Sequence, residues 1–240
     1  MPRAPRRLRA ALRVLFYVVI DWLYVAAWQV YGLFTSSDTR QYLNPPNPRE
    51  TAVVIIPGVY EPWRFMKPLS DTLHREGYPV HVIAGLGYNT GNIPAMASIV
   101  HRYLVESDTT RAVVVAHSKG GLIGKYVLAN LNEDGRLKHV VAINTPFAGS
   151  IYANFAPVRT VRIFSTRDAV IARLQANLMV NTTITSVYSK YDPNIPHSSF
   201  LEGATNVTID IIGHFHVVSN KEVHRRLLEI LERIEVGANP

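Results

Sequence analysis

The chain contains no cysteine. Disulfides, thiolate metal sites and a cysteine nucleophile are thereby excluded, while the compartment stays open, because a cysteine-free chain suits any of them. Charge is scarce too: 18% of residues are charged against 48% hydrophobic, the balance of a chain that buries a core. No acid precedes Asp21, whereas Arg3, Arg6, Arg7, Arg9 and Arg13 do. Of the net charge of +7, the rest of the chain carries only +2. The basic character therefore sits in a leader, and no RNA- or DNA-binding motif accompanies it, so no nucleic-acid partner is expected. Internal repeats and low-complexity segments are also missing. With 240 residues, the chain has room for one sizeable α/β domain plus a short extra segment.

Behind the leader, Val14 to Phe34 is a run of 21 mostly apolar residues. As a helix it would measure ~30 Å, the hydrocarbon thickness of a bilayer. Trp22, Trp28, Tyr17, Tyr24 and Tyr31 enrich it in side chains that favour membrane interfaces. Asp21 opposes spanning, by roughly 2.5–3.5 kcal/mol near the centre of a bilayer. Four readings stand: a spanning anchor, an interfacial helix with Arg13, Tyr17, Asp21 and Tyr24 near one face, a signal peptide cleaved near Val25-Ala26-Ala27, and an ordinary helix packed on the domain. An uncleaved anchor or interfacial helix with a cytoplasmic N-terminus is the expectation, and secretion after cleavage its alternative. Residues 35–51 are polar and hold Asn44-Pro45-Pro46-Asn47-Pro48, which reads as a linker. The expected division is thus residues 1–34 as leader and hydrophobic helix, 35–51 as linker and 52–240 as the catalytic domain. On that division, removing residues 1–40 would leave an active, soluble protein.

From Ala52 onward, short apolar runs alternate with amphipathic stretches of helix length. Ala52–Ile56, Val80–Ile83, Ala112–Ala116, Val140–Ile143, Ile184–Tyr188 and Val207–Ile212 are rich in Val and Ile. Runs that are continuous rather than alternating suit parallel strands covered on both faces. Ile99, Val100, Tyr103 and Leu104 recur at helical spacing, as do Val223, Leu227, Leu231 and Ile234, and Ser219-Asn220-Lys221-Glu222 has the pattern of a capping box. The expected architecture is a doubly wound, mostly parallel sheet of about six strands, preceded by the hydrophobic helix.

The most informative stretch is Val113-Val114-Val115-Ala116-His117-Ser118-Lys119-Gly120-Gly121, followed by the helical Leu122–Asn132. A strand turns abruptly into a helix with a serine at the corner, which strains the serine backbone and points its hydroxyl off the sheet. The chain doubles back so tightly that the positions two before and two after must be small, and they are Ala116 and Gly120. The start of the helix and the amide of Lys119 favour negative charge beside the serine.

These residues resemble the α/β-hydrolase superfamily, in particular its small bacterial triacylglycerol lipases and esterases with an Ala-His-Ser-x-Gly elbow. The likeness runs over roughly residues 51–235. It implies an α/β-hydrolase fold, Ser118 as nucleophile and a second oxyanion donor after a His-Gly-x strand end. Here that end reads Pro57-Gly58-Val59-Tyr60, which makes Val59 N–H the donor beside Lys119 N–H, with Pro in place of the family's His. Lys119 stands where Met is more usual, and its side chain is read as solvated, or else as reaching an anionic substrate. Asn144-Thr145-Pro146-Phe147-Ala148-Gly149-Ser150 resembles the Thr-Pro-x-x-Gly-Ser turn of these lipases, and Gly213-His214 follows a strand as their catalytic histidine does.

Of nine histidines, His74, His101 and His224 fall on amphipathic helices, and His117 points away from the nucleophile by the geometry of the turn. His214 follows a strand and a glycine at the rim where strand C-termini gather, with His216 as its rival. For the acid, the order Ser, Asp, His leaves Asp168 and Asp192. Asp168 precedes a helical stretch and suits an N-cap, whereas Asp192 follows the strand-like Thr183–Tyr188, so Asp192 is the expected acid.

The implied chemistry is acyl transfer through an ester on Ser118, with no metal or organic cofactor required. Carboxylic or lipid esters are the expected substrates. The short connection from Gly149 to Thr182, a minimal lid, offers Tyr152, Phe155, Phe164, Leu174 and Leu178 for an acyl pocket or for packing. Arg159, Arg162, Arg167 and Arg173 in it read as a solvated face or as partners of anionic head groups. A thioesterase, amidase or acyltransferase would share the triad. A membrane-tethered, non-catalytic binding domain is the alternative of a different class.

Overall fold

The computed structural model describes residues 6–34 and 38–237. Residues 1–5, 35–37 and 238–240 lie outside the described residues, and with them Arg3 of the leader and part of the expected linker. The elements run α1 (Arg6–Phe34), β1 (Ala52–Ile56), α2 (Lys67–Arg75), β2 (Val80–Val82), α3 (Ile93–Glu106), β3 (Ala112–His117) and α4 (Lys119–Asn130). There follow β4 (Leu137–Ile143), α5 (Arg159–Arg162), α6 (Ala169–Ala176), β5 (Ile184–Tyr191), β6 (Thr205–Ile212) and α7 (Lys221–Glu235).

All six strands pair parallel, in the order β2-β1-β3-β4-β5-β6. The winding reverses at β1, so the loops leaving β1 and β3 open on either side of a crevice at the strand C-termini. Alternate residues of the central strands feed two layers. Val53, Ile55, Val113, Val115, Val141 and Ile143 pack with α2, α7 and the inner face of α1. Val54, Ile56, Val114, Ala116, Val140 and Ala142 pack with α3, α4 and α6. Cover on both faces is why these strands read as unbroken apolar runs. At the sheet edge, β6 is only partly covered, and its burial is patchy.

Several boundaries differ from expectation. β2 stops one residue earlier, at Val82, while β4, β5 and β6 are longer by three, three and two residues: β4 and β5 run on past register irregularities at Lys138 and Lys190, and polar Asn206 pairs with Ser186. The cap of α7 is Asn220, whose side chain accepts from Glu222 N at 2.8 Å; Ser219 instead donates to His216 O, so no capping box forms. The stretch read as linker is not an open tether over its described part. Thr39–Leu43 is a 3-10 turn that buries Tyr42 in the layer with α2, and Tyr42 donates to Asp71.

Helix α1 is long and apolar enough over Leu12–Gly32 to cross a membrane, by length and composition alone. It lies against the domain with its more polar face inward. Asp21 is buried, Tyr24 packs edge-on to Phe65 and donates to Phe65 O, and Gln29 Nε2 donates to Tyr60 O at 2.7 Å. Leu12, Leu15, Phe16, Val19, Leu23 and Val30 point outward and are exposed.

Candidate active site

Ser118 sits between β3 and α4 at φ 51°, ψ −117°, a conformation that costs a non-glycine residue energy and survives only where the surroundings enforce it. Here they do. Ser118 N donates to Ile143 O at 2.8 Å, and Thr145 Oγ1 donates to Ser118 O at 2.9 Å. The doubling back leaves no room two residues on, where a Cβ on Gly120 would stand 2.2 Å from Ile56 O.

His214 follows β6 and Gly213. Its Nε2 lies 3.1 Å from Ser118 Oγ, and its Nδ1 lies 2.6 Å from Asp192 Oδ2. Asp192 Oδ1 accepts from Asn194 N and Ile195 N, which fixes the carboxylate in the loop after β5. With Nδ1–H donating to Asp192, Nε2 is left as the acceptor for the serine hydroxyl. All three side chains are buried. Burial works against the imidazolium, but the Asp192 carboxylate, by charge and by hydrogen bond, outweighs it and holds the His214 pKa above the ordinary histidine value. The rivals lie elsewhere: His216 Nδ1 faces Asp21 Oδ1 at 2.8 Å, and Asp168 caps α6 by accepting from Val170 N and Ile171 N.

Val59 and Ser118 line the same cavity. Among the described residues neither Val59 N–H nor Lys119 N–H has an acceptor within the protein, the latter because it opens a helix. The Lys119 side chain is neither solvated nor turned toward the cavity. It is fully buried, with Nζ donating to Asn89 O at 2.5 Å and to Gly91 O, and burial pushes its pKa down to about 8. Asn89 in turn donates to Pro57 O, so this lysine ties the elbow to the loop that carries Val59.

Four polar residues around Ser118, His214 and Asp192 had been given no part in the site by the sequence. Glu61 Oε2 accepts from Gly58 N at 2.6 Å and faces His117 Nδ1 at 2.8 Å, and His117 Nε2 faces His214 O at 2.9 Å. Asn144 Nδ2 donates to Gly213 O and His214 O, both at 3.1 Å. Asp21 accepts from the amides on the other side of the same loop. The signals were there: a histidine inside the elbow, an acid three residues after Gly58, and a lone acid in an apolar run.

Over the serine lies a largely apolar cavity of about 370 Å³. Tyr152 and Phe164 of the short lid line it, and α1 supplies Trp22, Val25 and Gln29 as another wall. Leu174 is core, whereas Phe155 and Leu178 are exposed, as are Arg159, Arg162, Arg167 and Arg173.

No family model matches the chain. Among solved structures it is similar to an α/β-hydrolase enzyme from the metagenome of sediments of the Mar Chica lagoon, Morocco, with TM-score 0.59 and 16% identity over 78% of this chain and 94% of that one. It is equally similar to the mature form of a Bacillus licheniformis lipase, with TM-score 0.59 and 14% identity over 79% and 92%. A bacterial membrane phospholipase A gives TM-score 0.56 and 13% identity over 95% of this chain and 96% of that one, a share too large to leave out the 29 residues of α1. At such identities the likeness is one of fold: this chain has the α/β-hydrolase fold.

Proposed function

We propose that the chain is a serine hydrolase of carboxylic or lipid esters, with Ser118 as nucleophile, His214 as base and Asp192 as acid. The observation that carries this reading is the unbroken chain Ser118 Oγ–His214–Asp192, at 3.1 and 2.6 Å, beneath an apolar cavity. His214 Nε2 takes the hydroxyl proton as Ser118 Oγ attacks the ester carbonyl, and Asp192 stabilises the imidazolium that forms. The Val59 and Lys119 amides hold the oxyanion, each worth on the order of 10²–10³ in rate. Collapse of the tetrahedral intermediate breaks the ester bond, and the imidazolium returns the proton to the leaving alcohol. Water, deprotonated by His214, then releases the acid and restores the serine.

Lipid esters are favoured by the apolar cavity and by its place beside α1. The outward face of that helix, from Leu12 to Val30, is apolar and exposed. The basic leader before it suits anionic head groups. On this reading α1 lies on the membrane surface, anchoring residues 52–240 there with its arginines at the cytoplasmic face. Labelling by a fluorophosphonate probe tests the reading, together with turnover of p-nitrophenyl esters of increasing chain length. Both should be present in the wild type and lost in Ser118→Ala. A Ser118→Ala protein that keeps either would overturn it, and a folded wild type with neither would favour a binding domain.

A further inference from the structure

Asp21 is the one acid of helix α1 and is 2% exposed. Its Oδ2 accepts from His214 N at 2.7 Å, and its Oδ1 accepts from Phe215 N and His216 N, both at 2.8 Å, and faces His216 Nδ1 at 2.8 Å. Three consecutive amides thus converge on one carboxylate, the arrangement with which a backbone binds an anion. Such charge-assisted bonds are about twice as strong as neutral ones. Burial alone would raise the Asp21 pKa, but the bonds from His216 and the amides hold it below the ordinary carboxylate value, so the site keeps its charge.

The loop at His214 is gripped from both sides. Its carbonyl is held by His117 and Asn144, which belong to the elbow strand and the turn after β4. Its amide is held by Asp21. The ring contacts follow the same pattern, with Trp22 against Phe215 at 5.5 Å and Tyr17 stacked on His216 at 6.4 Å.

We propose that Asp21 is a positioning residue of the active site, holding the His214 imidazole in line with Ser118 through the amides of residues 214–216, so that turnover requires helix α1 to be docked. The proposal rests on the reading of Ser118 and His214 as nucleophile and base. It reverses the expectation drawn from the linker: removing residues 1–40 takes away the acceptor of three converging amides along with a wall of the cavity. Cleavage after Ala27 would do the same, and so would moving the middle of α1 into a bilayer.

The test uses the full-length chain. Asp21→Asn keeps the size and one acceptor oxygen but removes the charge and turns an NH2 group toward an amide. On a short soluble ester kcat should fall about 10–100-fold with KM within about twofold, as expected when a reacting group is displaced slightly. The His214 imidazole also faces Asp192, Glu61 and His117 from the loops and strands around it, with His216 beyond Asp21 in its own loop. Losing one of the negative charges should lower its pKa, read from NMR titration and from the acid limb of kcat/KM, and Asp21→Glu should restore it. An Asp21→Asn protein with wild-type kcat, or with lowered kcat but an unmoved imidazole pKa, would overturn the proposal.

A second measurement needs no variant. Hydrogen exchange on the unaltered protein should find the amides of Phe215 and His216 slow, and fast exchange there would also refute the proposal. If Ser118→Ala leaves turnover and labelling intact, it is the reading of the site that fails. The NMR response of His214 to Asp21→Asn then still decides the positioning.

Discussion

The ring of His117 lies 4.9 Å from that of His214, and its Nε2 faces the His214 carbonyl while its Nδ1 faces Glu61. His117 therefore braces the loop of His214 and, through Glu61, the loop of Val59. Three segments far apart in the chain are held in one buried polar path. His117→Phe would fill the space but remove one hydrogen bond from the Glu61 carboxylate, which keeps Gly58 N, and one from the His214 carbonyl, which keeps Asn144. A lost hydrogen bond costs about 0.5–1.5 kcal/mol net, and about 1.5–3 kcal/mol where one partner is charged. Thermal unfolding should drop by several degrees, at about 2–4 °C per kcal/mol for a chain of this size. An unchanged melting temperature would mean that the path carries no load.

Asp192 and Asp168 separate by what they hold. Asp192 faces the imidazole, whereas Asp168 satisfies the first turn of α6. Asp192→Asn should cut kcat by about 10⁴-fold, because an amide does not keep the imidazole in the required tautomer. Asp168→Asn should leave kcat alone and cost well under about 1 kcal/mol, since Asn caps a helix nearly as well. The opposite ranking of activities would displace Asp192 from the triad.

pH dependence follows from the raised His214 pKa. As the proposed base, His214 must be neutral in the free enzyme, so kcat/KM should rise with pH through an acid limb centred above the ordinary value of 6.5. Stability runs the other way. A histidine whose folded pKa exceeds its unfolded one adds stability below about 6.5, and that increment is lost as pH climbs through the folded pKa. Over the same window turnover should therefore grow while this increment of stability shrinks. A limb centred at or below 6.5 would show that Asp192 does not dominate the burial of the ring.

What the sequence made legible was local. Val113 to Gly121 spells a strand, a corner and a helix start within nine residues, and the structure has each of them. Runs rich in Val and Ile marked the six strands, most plainly β1, β3 and β4, which are covered on both faces. What escaped was non-local. Asp21 meets His214 across 193 positions, and hydropathy scored it only as a cost within an apolar run. Lys119 looked solvated because lysine usually is, and only the approach of the Asn89 and Gly91 carbonyls makes its burial tolerable. The proline-rich stretch after α1 had the composition of a tether, yet Tyr42 anchors it to the core.

The two faces of α1 should separate in experiment. Trp22 and Val25 line the cavity, while Phe16 and Leu23 point away from it and are more than half exposed. Trp22→Ala enlarges the space above Ser118 and should move the best p-nitrophenyl ester toward longer chains. Phe16→Ser together with Leu23→Ser removes apolar area from the outer face alone. Turnover of a short ester should then stay within about twofold, while flotation with vesicles containing anionic lipid weakens, because interfacial binding scales with buried apolar area. Salt should weaken flotation of the wild type further, as the arginines of the leader are screened from the head groups. Unprocessed full-length protein found wholly in the soluble fraction would leave α1 as a piece of the catalytic domain and nothing more.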